Sequence, residues 1–223
     1  MEYGRLILHR STEPIREPVT KFGGLPAWVD KPAWPRSAAT GAKMLFIGQV
    51  EIDPRLFPVT DRRIAYLFIT DNPDLETWDP ESGENAVIIQ VMQPGHSVTI
   101  VKGPTLNEMY WEEGDDVGRE RPLELAAEVV IEPQPDLTDE EIDQLDEEAQ
   151  KEYFSWLGQS IGGKPDWIQN DEVPDGWPLL LQIGEWPRVA GKSIVPTWNF
   201  GTGNCYVLIS PDCSKGILLW QCT

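Results

Sequence analysis

Short apolar runs separated by Pro, Gly, Asn and Asp dominate the pattern of this chain. Several of them alternate apolar and polar positions or are rich in β-branched residues, which is typical of strands. We expect strands at residues 5–9, 45–52, 64–70, 86–92, 97–102, 126–132, 179–183, 206–210 and 216–221. The turn residues between successive runs favour largely antiparallel sheets.

One stretch, residues 139–157, has a helical period instead. Its apolar residues from Ile142 to Leu157 follow an approximate helical stripe. Thr138 and Glu141 have the spacing of a capping box, and Gly158 is suited to end a helix. The pattern predicts one long helix among many strands, so the expected fold class is α+β.

An internal repeat organises the rest of the chain. The segments FGGLPAW at residues 22–28 and IGGKPDW at residues 161–167 share the pattern apolar-Gly-Gly-x-Pro-x-Trp. The later markers that recur in the same order are Trp34-Pro35 with Trp177-Pro178, residues 45–50 with 179–183, 66–70 with 206–210, and 86–90 with 217–221. Such self-similarity predicts a duplicated fold. We expect mostly antiparallel sheets in two pseudo-symmetric halves, residues 1–136 and 137–223, with the long helix between them and both packed as one compact unit.

The order of these markers resembles the YwqG-like family, also known as DUF1963, a bacterial family without an established biochemical role. The residues that carry the resemblance are 21–26, Trp34-Pro35, 46–49, 165–169, 179–182 and 219–223. The resemblance implies no catalytic residues, because the family has none assigned. Members resembling this family occur near secreted-toxin loci, which implies an immunity-type role as a special case.

The charge balance limits the classes of partner. The chain has 37 acidic and 18 basic residues, a formal net charge of −19. This disfavours nucleic acid and anionic membranes, because both bind through clustered Lys and Arg. No apolar run approaches the roughly 18 residues of a membrane helix. A cationic protein partner fits the charge, and the alternative is that the acidity serves solubility alone.

Little in the sequence points to catalysis. Cys205, Cys213 and Cys222 lack the paired spacing of a zinc site, so no metal is predicted. The N-terminal residues lack a secretory signal, and we therefore expect reduced thiols in a cytoplasmic protein. Only His9 and His96 are available as histidine bases, and no nucleophile or phosphate-binding motif accompanies them. The sequence therefore favours a non-catalytic protein over an enzyme, and no cofactor is predicted.

Candidate binding residues come from tryptophans, repeated amides and loop carboxylates. Exposed aromatics in an acidic rim are suited to recognising proteins or cationic ligands. The repeated glutamines either satisfy buried backbone groups or bind a ligand. The residues selected for ligand or partner binding are Gln49, Gln182, Trp111, Trp198, Asp115 and Asp116.

Three functions are consistent with these features. The first is a non-catalytic binding protein whose acidic face recognises a cationic protein partner, such as a toxin. The second is a small-molecule-binding protein or an enzyme with a site between the two halves. The third is a structural or regulatory module without a ligand.

Overall fold

The computed structural model describes residues 2–95, 97–112, 116–134, 137–150, 153, 158–170, 174–184 and 187–222. Its strands are β1 (Glu2–Arg10), β2 (Lys21–Gly23), β3 (Ala27–Trp28), β4 (Leu45–Ile52), β5 (Arg63–Ile69), β6 (Asn85–Val91), β7 (Thr99–Ile100), β8 (Asn107–Tyr110), β9 (Arg119–Pro122), β10 (Glu124–Pro133), β11 (Gln159–Gly162), β12 (Leu179–Gly184), β13 (Arg188–Val189), β14 (Lys192–Ser193), β15 (Val195–Pro196), β16 (Asn204–Ile209) and β17 (Gly216–Gln221). Helix α1 spans Asp139–Asp143, and residues 147–150 belong to a second short helix. Each predicted apolar run coincides with a strand, although residues 97–102 contribute only β7.

Ten of these strands form a closed antiparallel barrel. Their order is β10-β2-β4-β5-β6-β17-β16-β12-β11-β1, and β1 pairs back with β10 to close the ring. The closing pair runs along all of β1, from Glu2 opposite Pro133 to Arg10 opposite Leu125. Closure leaves these strands without a free edge, which removes a site for aggregation.

The expected α+β fold, with one long helix between two sheet halves, is therefore wrong. Over the residues that the structure describes, the protein is nearly all-β, with two short helices and no long one. The sequence pattern did not reveal the closure, because β1 and β10 are far apart in the chain. Apolar alternation on each strand is equally compatible with a sheet edge and with a closed ring.

The predicted helix begins as expected but stops early. Thr138 caps it, since Glu141 N donates to Thr138 Oγ1 and Thr138 N donates to Glu141 Oε2. After α1 ends, the carboxylate of Asp146 accepts hydrogen bonds from the backbone N–H of Glu148 (3.1 Å) and Ala149 (2.8 Å). A cap at this position starts a new helix instead of continuing the first. Residues 154–157 of the prediction lie outside the described residues.

One strand of the first predicted half joins the second half in the barrel. The N-terminal strand β1 pairs with β11, opposing Tyr3 to Gly162, while β10 pairs with β2, opposing Glu124 to Gly23. The five-stranded side β17-β16-β12-β11-β1 therefore contains one strand from residues 1–136, and the other side, β10-β2-β4-β5-β6, lies entirely within those residues. The division at residue 136 remains a prediction.

Alternating residues of the strands build three apolar clusters. In β5, Ala65, Leu67 and Ile69 face the main core inside the barrel, and Tyr66 and Phe68 face a second cluster outside it. A third cluster lies on the outer face of β12, β16 and β17. None of the described helices is long and apolar enough to cross a membrane.

Candidate functional site

Two glycine pairs start segments that cross the outer face of the barrel. We call residues 25–31 the first strap and residues 164–170 the second strap. The φ angles before the first strap are 69° and 61° at Gly23 and Gly24, and before the second they are 68° and 78° at Gly162 and Gly163. Glycine adopts this region without the cost that a Cβ imposes. The repeated motif thus encodes two similar backbone turns.

Gln49 and Tyr66 hold the first strap against the barrel. Gln49 Oε1 accepts from Ala27 N (2.9 Å), and Tyr66 OH accepts from Val29 N (3.0 Å) and donates to Ala27 O (2.8 Å). The ring of Trp28 packs on Tyr66 with a centroid distance of 4.4 Å. Backbone groups that the barrel strands do not pair are satisfied in this way.

The second strap makes the same contacts at the corresponding positions. Gln182 Oε1 accepts from Asp166 N (2.8 Å), and Tyr206 OH accepts from Ile168 N (3.2 Å) and donates to Asp166 O (2.5 Å). Trp167 packs on Tyr206 at 4.4 Å. These repeated contacts give the sequence repeat a structural basis.

The repeated glutamines have their amides committed to the straps. Gln49 is 0% exposed and Gln182 1% exposed, and Gln49 Nε2 also donates to the carbonyls of Glu17 (3.3 Å) and Val19 (2.9 Å). The sequence left open whether these amides satisfy buried backbone groups or bind a ligand, and their contacts support the first.

Trp198 is also inside the protein. It is 0% exposed and lies in the main core, where its ring stacks on Phe200 at 5.0 Å and meets Phe22 edge-on at 6.4 Å. The position of Trp198 in a loop suggested an accessible side chain, but the side chain is buried in the main core. Its contacts contribute to packing.

Trp111 and Asp116 lie on a hairpin outside the ten-stranded barrel. We call residues 107–122, which contain β8, β9 and their connection, the acidic hairpin. Trp111 is 54% exposed, Val117 is 76% exposed, and Asp116 is exposed as well. Asp115, another predicted site residue, lies outside the described residues. Val117 was not predicted as a site residue. The feature that could have identified it is an isolated apolar residue in an otherwise polar connection.

A buried carboxylate ties the acidic hairpin to the barrel. Glu108 in β8 is 1% exposed and accepts hydrogen bonds from Arg10 at the end of β1, with Nη1 at 2.6 Å, and from Arg121 in β9. The guanidinium of Arg121 also lies over the ring of Tyr110 at 4.8 Å. Multiple charge-assisted bonds fix orientation as well as position. The base of the hairpin is therefore held rigidly.

This ion-paired carboxylate should make stability sensitive to acid. Burial raises the pKa of Glu108, but hydrogen bonds from Arg10 and Arg121 outweigh burial and leave the pKa below its usual 4.5. A group with a lowered folded-state pKa stabilises the protein above its unfolded pKa and loses that contribution as the pH falls. We expect Glu108→Gln to destabilise by about 2 kcal/mol at neutral pH.

The pH dependence of Tm distinguishes the contribution of the Glu108 charge from that of side-chain packing. The difference in Tm between wild type and Glu108→Gln should shrink as the pH is lowered below 4.5. Glu120→Gln is the matched control, because Glu120 is an exposed carboxylate on the same hairpin. A Tm difference that stays constant into acid would contradict a role for the charge.

The thiols have no features of a nucleophile. Burial raises the pKa of Cys205, and burial is also the largest cause of the raised pKa of Cys213. A thiol must ionise to attack, so a raised pKa disfavours that chemistry. Within the part of the chain that the structure describes, no group of three or more His, Cys, Asp or Glu residues could hold a metal ion.

Comparison with known protein families identifies a match over most of the chain. The model of a family described as "Domain of unknown function (DUF1963)" matches residues 20–215. No curated protein matches the chain.

Proposed function

Because the chain belongs to the DUF1963 family, whose function is unknown, we propose from its geometry that it is a non-catalytic binding protein whose acidic hairpin recognises a basic protein. The observation that carries the proposal is the exposure of Trp111 and Val117 at the end of this hairpin. Tryptophan anchors are enriched among the residues that dominate binding energy at protein interfaces.

Charge defines the kind of partner. Residues 107–122 contain six acidic residues and two arginines. Both arginines are engaged within the hairpin, Arg121 with Glu108 and Arg119 with Glu112. Of the remaining carboxylates that the structure describes, Asp116 and Glu120 are exposed on the same hairpin as the exposed apolar residues. A partner with an apolar patch and surrounding Lys or Arg residues would therefore be complementary.

The rigidity of the hairpin also favours recognition. The base is fixed by Glu108, and Leu106 and Leu123 on either side are 0% and 2% exposed in the main core. A preorganised binding element loses less conformational entropy on association. All residues of β9 are exposed, and β9 is the outer strand of the three-stranded sheet β15-β8-β9.

A basic toxin is a special case of such a partner. The proposed complex would cover basic groups of the toxin with the acidic hairpin, as an immunity protein in the cytoplasm could do. The rest of the proposal does not depend on this case, because any basic protein with an apolar patch offers the same chemistry.

Selection from a random peptide library tests the proposal with a defined probe. Peptides selected on the wild type should combine Lys or Arg with an apolar residue, and Trp111→Ala should weaken their binding by about tenfold or more. Asp116→Asn should mainly slow association at low salt, because charges at the rim of an interface steer encounter.

Asp143→Asn is the matched control for Asp116→Asn, since Asp143 is another exposed carboxylate but lies outside the hairpin. It should retain binding of the selected peptides. Selection of acidic or uncharged peptides, or equal binding by Trp111→Ala and wild type, would refute the proposed site.

A further inference from the structure

The two sides of the barrel differ in the length of one connection between neighbouring strands. The loop between β5 and β6 spans residues 70–84, whereas the corresponding connection between β16 and β17 spans only residues 210–215. Both are closed by the same type of backbone bond, from Thr70 N to Glu84 O (2.7 Å) and from Ser210 N to Lys215 O (2.9 Å). Additional loop residues on a rigid scaffold often carry function.

The longer loop presents Trp78 in a fixed position. The side-chain amide of Asn85 donates to the carbonyls on either side of this residue, Thr77 O (3.0 Å) and Asp79 O (3.1 Å). Asn85 is itself 8% exposed, whereas Trp78 is 47% exposed. The backbone is thus held while the indole remains accessible.

Trp78 meets residues of the neighbouring strand β17, of the chain just after it and of the second strap around a cavity of about 290 Å³. The other lining residues are Gln169, Trp220, Gln221 and Cys222. Trp220 is fixed by a hydrogen bond from Nε1 to Thr77 Oγ1 (3.2 Å). Gln221 Oε1 accepts from Gln169 N (3.0 Å). The walls are therefore largely preformed.

The composition of the site indicates the charge of its ligand. Among the residues that the structure describes, no basic side chain lines the cavity. Residues 71–84 contain six Asp or Glu residues and no Lys or Arg. The faces of indole rings attract cations, and tryptophan does so most strongly among the aromatic residues. The volume is at the low end for ligand pockets, which suits one small head group.

We propose that the cavity between Trp78 and Trp220 binds an organic cation, an alkylammonium or guanidinium group, through the two indoles and the field of the acidic loop. The cation is either a free small molecule or a side chain displayed by a protein. This site is separate from the acidic hairpin, and its failure would leave the proposed function of the hairpin intact.

Choline and its neutral isostere dimethylbutanol, in which carbon replaces the quaternary nitrogen, test the role of charge. Choline should bind the wild type about fivefold more tightly than dimethylbutanol. Heteronuclear NMR spectra resolve the ten indole N–H groups, and the Trp78 signal is identified by its loss in Trp78→Ala. Choline should shift the signals of Trp78 and Trp220 and leave that of Trp111 unchanged.

Variants test whether the Trp78 indole is responsible for binding the cation. Trp78→Ala should lose about fivefold or more in choline affinity, Trp78→Phe should lose less, and Trp111→Ala should match the wild type. Equal affinity for choline and dimethylbutanol would overturn the proposal, as would undiminished choline binding by Trp78→Ala. The comparison of the two probes uses the wild type, so it stands even if a variant is poorly folded.

A second pair of probes distinguishes the sources of the cation. Capped arginine is compared with the same arginine inside a glycine-serine peptide. Tighter binding of the peptide would support a protein side chain, and equal binding would support a free cation. Absence of binding by choline and by both arginine probes would overturn the proposal.

Discussion

Gly23→Ala is expected to lower the free energy of unfolding by about 4 kcal/mol or more, a loss of the size seen for the most disruptive substitutions. The residue has a φ of 69°, and a Cβ at this position would lie 2.0 Å from the carbonyl oxygen of Leu123. That carbonyl also accepts a hydrogen bond from Gly24 N (3.0 Å), so it cannot move without breaking another contact.

Gly162→Ala provides a matched control within the same chain. Its φ is 68°, but the nearest atom to its added Cβ would be Phe57 Cζ at 3.6 Å. The control should therefore cost only about 1 to 2 kcal/mol, the price of a left-handed backbone for alanine. Urea unfolding followed by circular dichroism measures both. Similar losses for the two variants would show that the close approach to Leu123 does not matter.

Glu124→Gln is expected to destabilise the protein by about 3 kcal/mol, because it leaves a buried ammonium without its carboxylate. Lys21 in β2 is 0% exposed, and its Nζ donates to Glu124 Oε1 (2.6 Å) and Ile15 O (2.7 Å). Burial lowers the pKa of Lys21, and the bond to Glu124 opposes that effect. The substituted amide keeps the shape and removes the charge.

A double-mutant cycle isolates the ion pair. Lys21→Met removes the buried charge and keeps an unbranched apolar side chain, so Lys21→Met combined with Glu124→Gln should recover much of the stability lost by Glu124→Gln alone. Free energies of unfolding at neutral pH supply the coupling energy. Additive losses in the double variant would mean that the pair makes no net electrostatic contribution.

Strands and turns were predictable because their signals are local. The apolar run at residues 64–70 identified β5, and the Thr138 capping box identified the start of α1. The length of that helix was not predictable in the same way, because Asp146 is compatible with a helix interior by pattern and acts as a cap in the structure.

The candidate site was predicted in part. Trp111 and Asp116 were chosen as exposed loop residues, and the structure places both on the acidic hairpin. Trp198 was chosen by the same criterion and is buried, since sequence position does not show which loop folds over the end of the barrel. Glu108 gave no signal, because its partners Arg10 and Arg121 meet it only after β1, β8 and β9 have assembled.

The sequence alone determined nine of the strands, the two glycine turns and the recurrence of Gln49 with Gln182, since each depends on neighbouring residues or on comparison of one segment with another. The tertiary structure alone decided that β1 closes the barrel on β10, and that Trp78 shares a cavity with Trp220. Such pairings join residues that are distant in the chain. An apolar pattern indicates which face of a strand is buried, but it does not indicate which other element that face packs against.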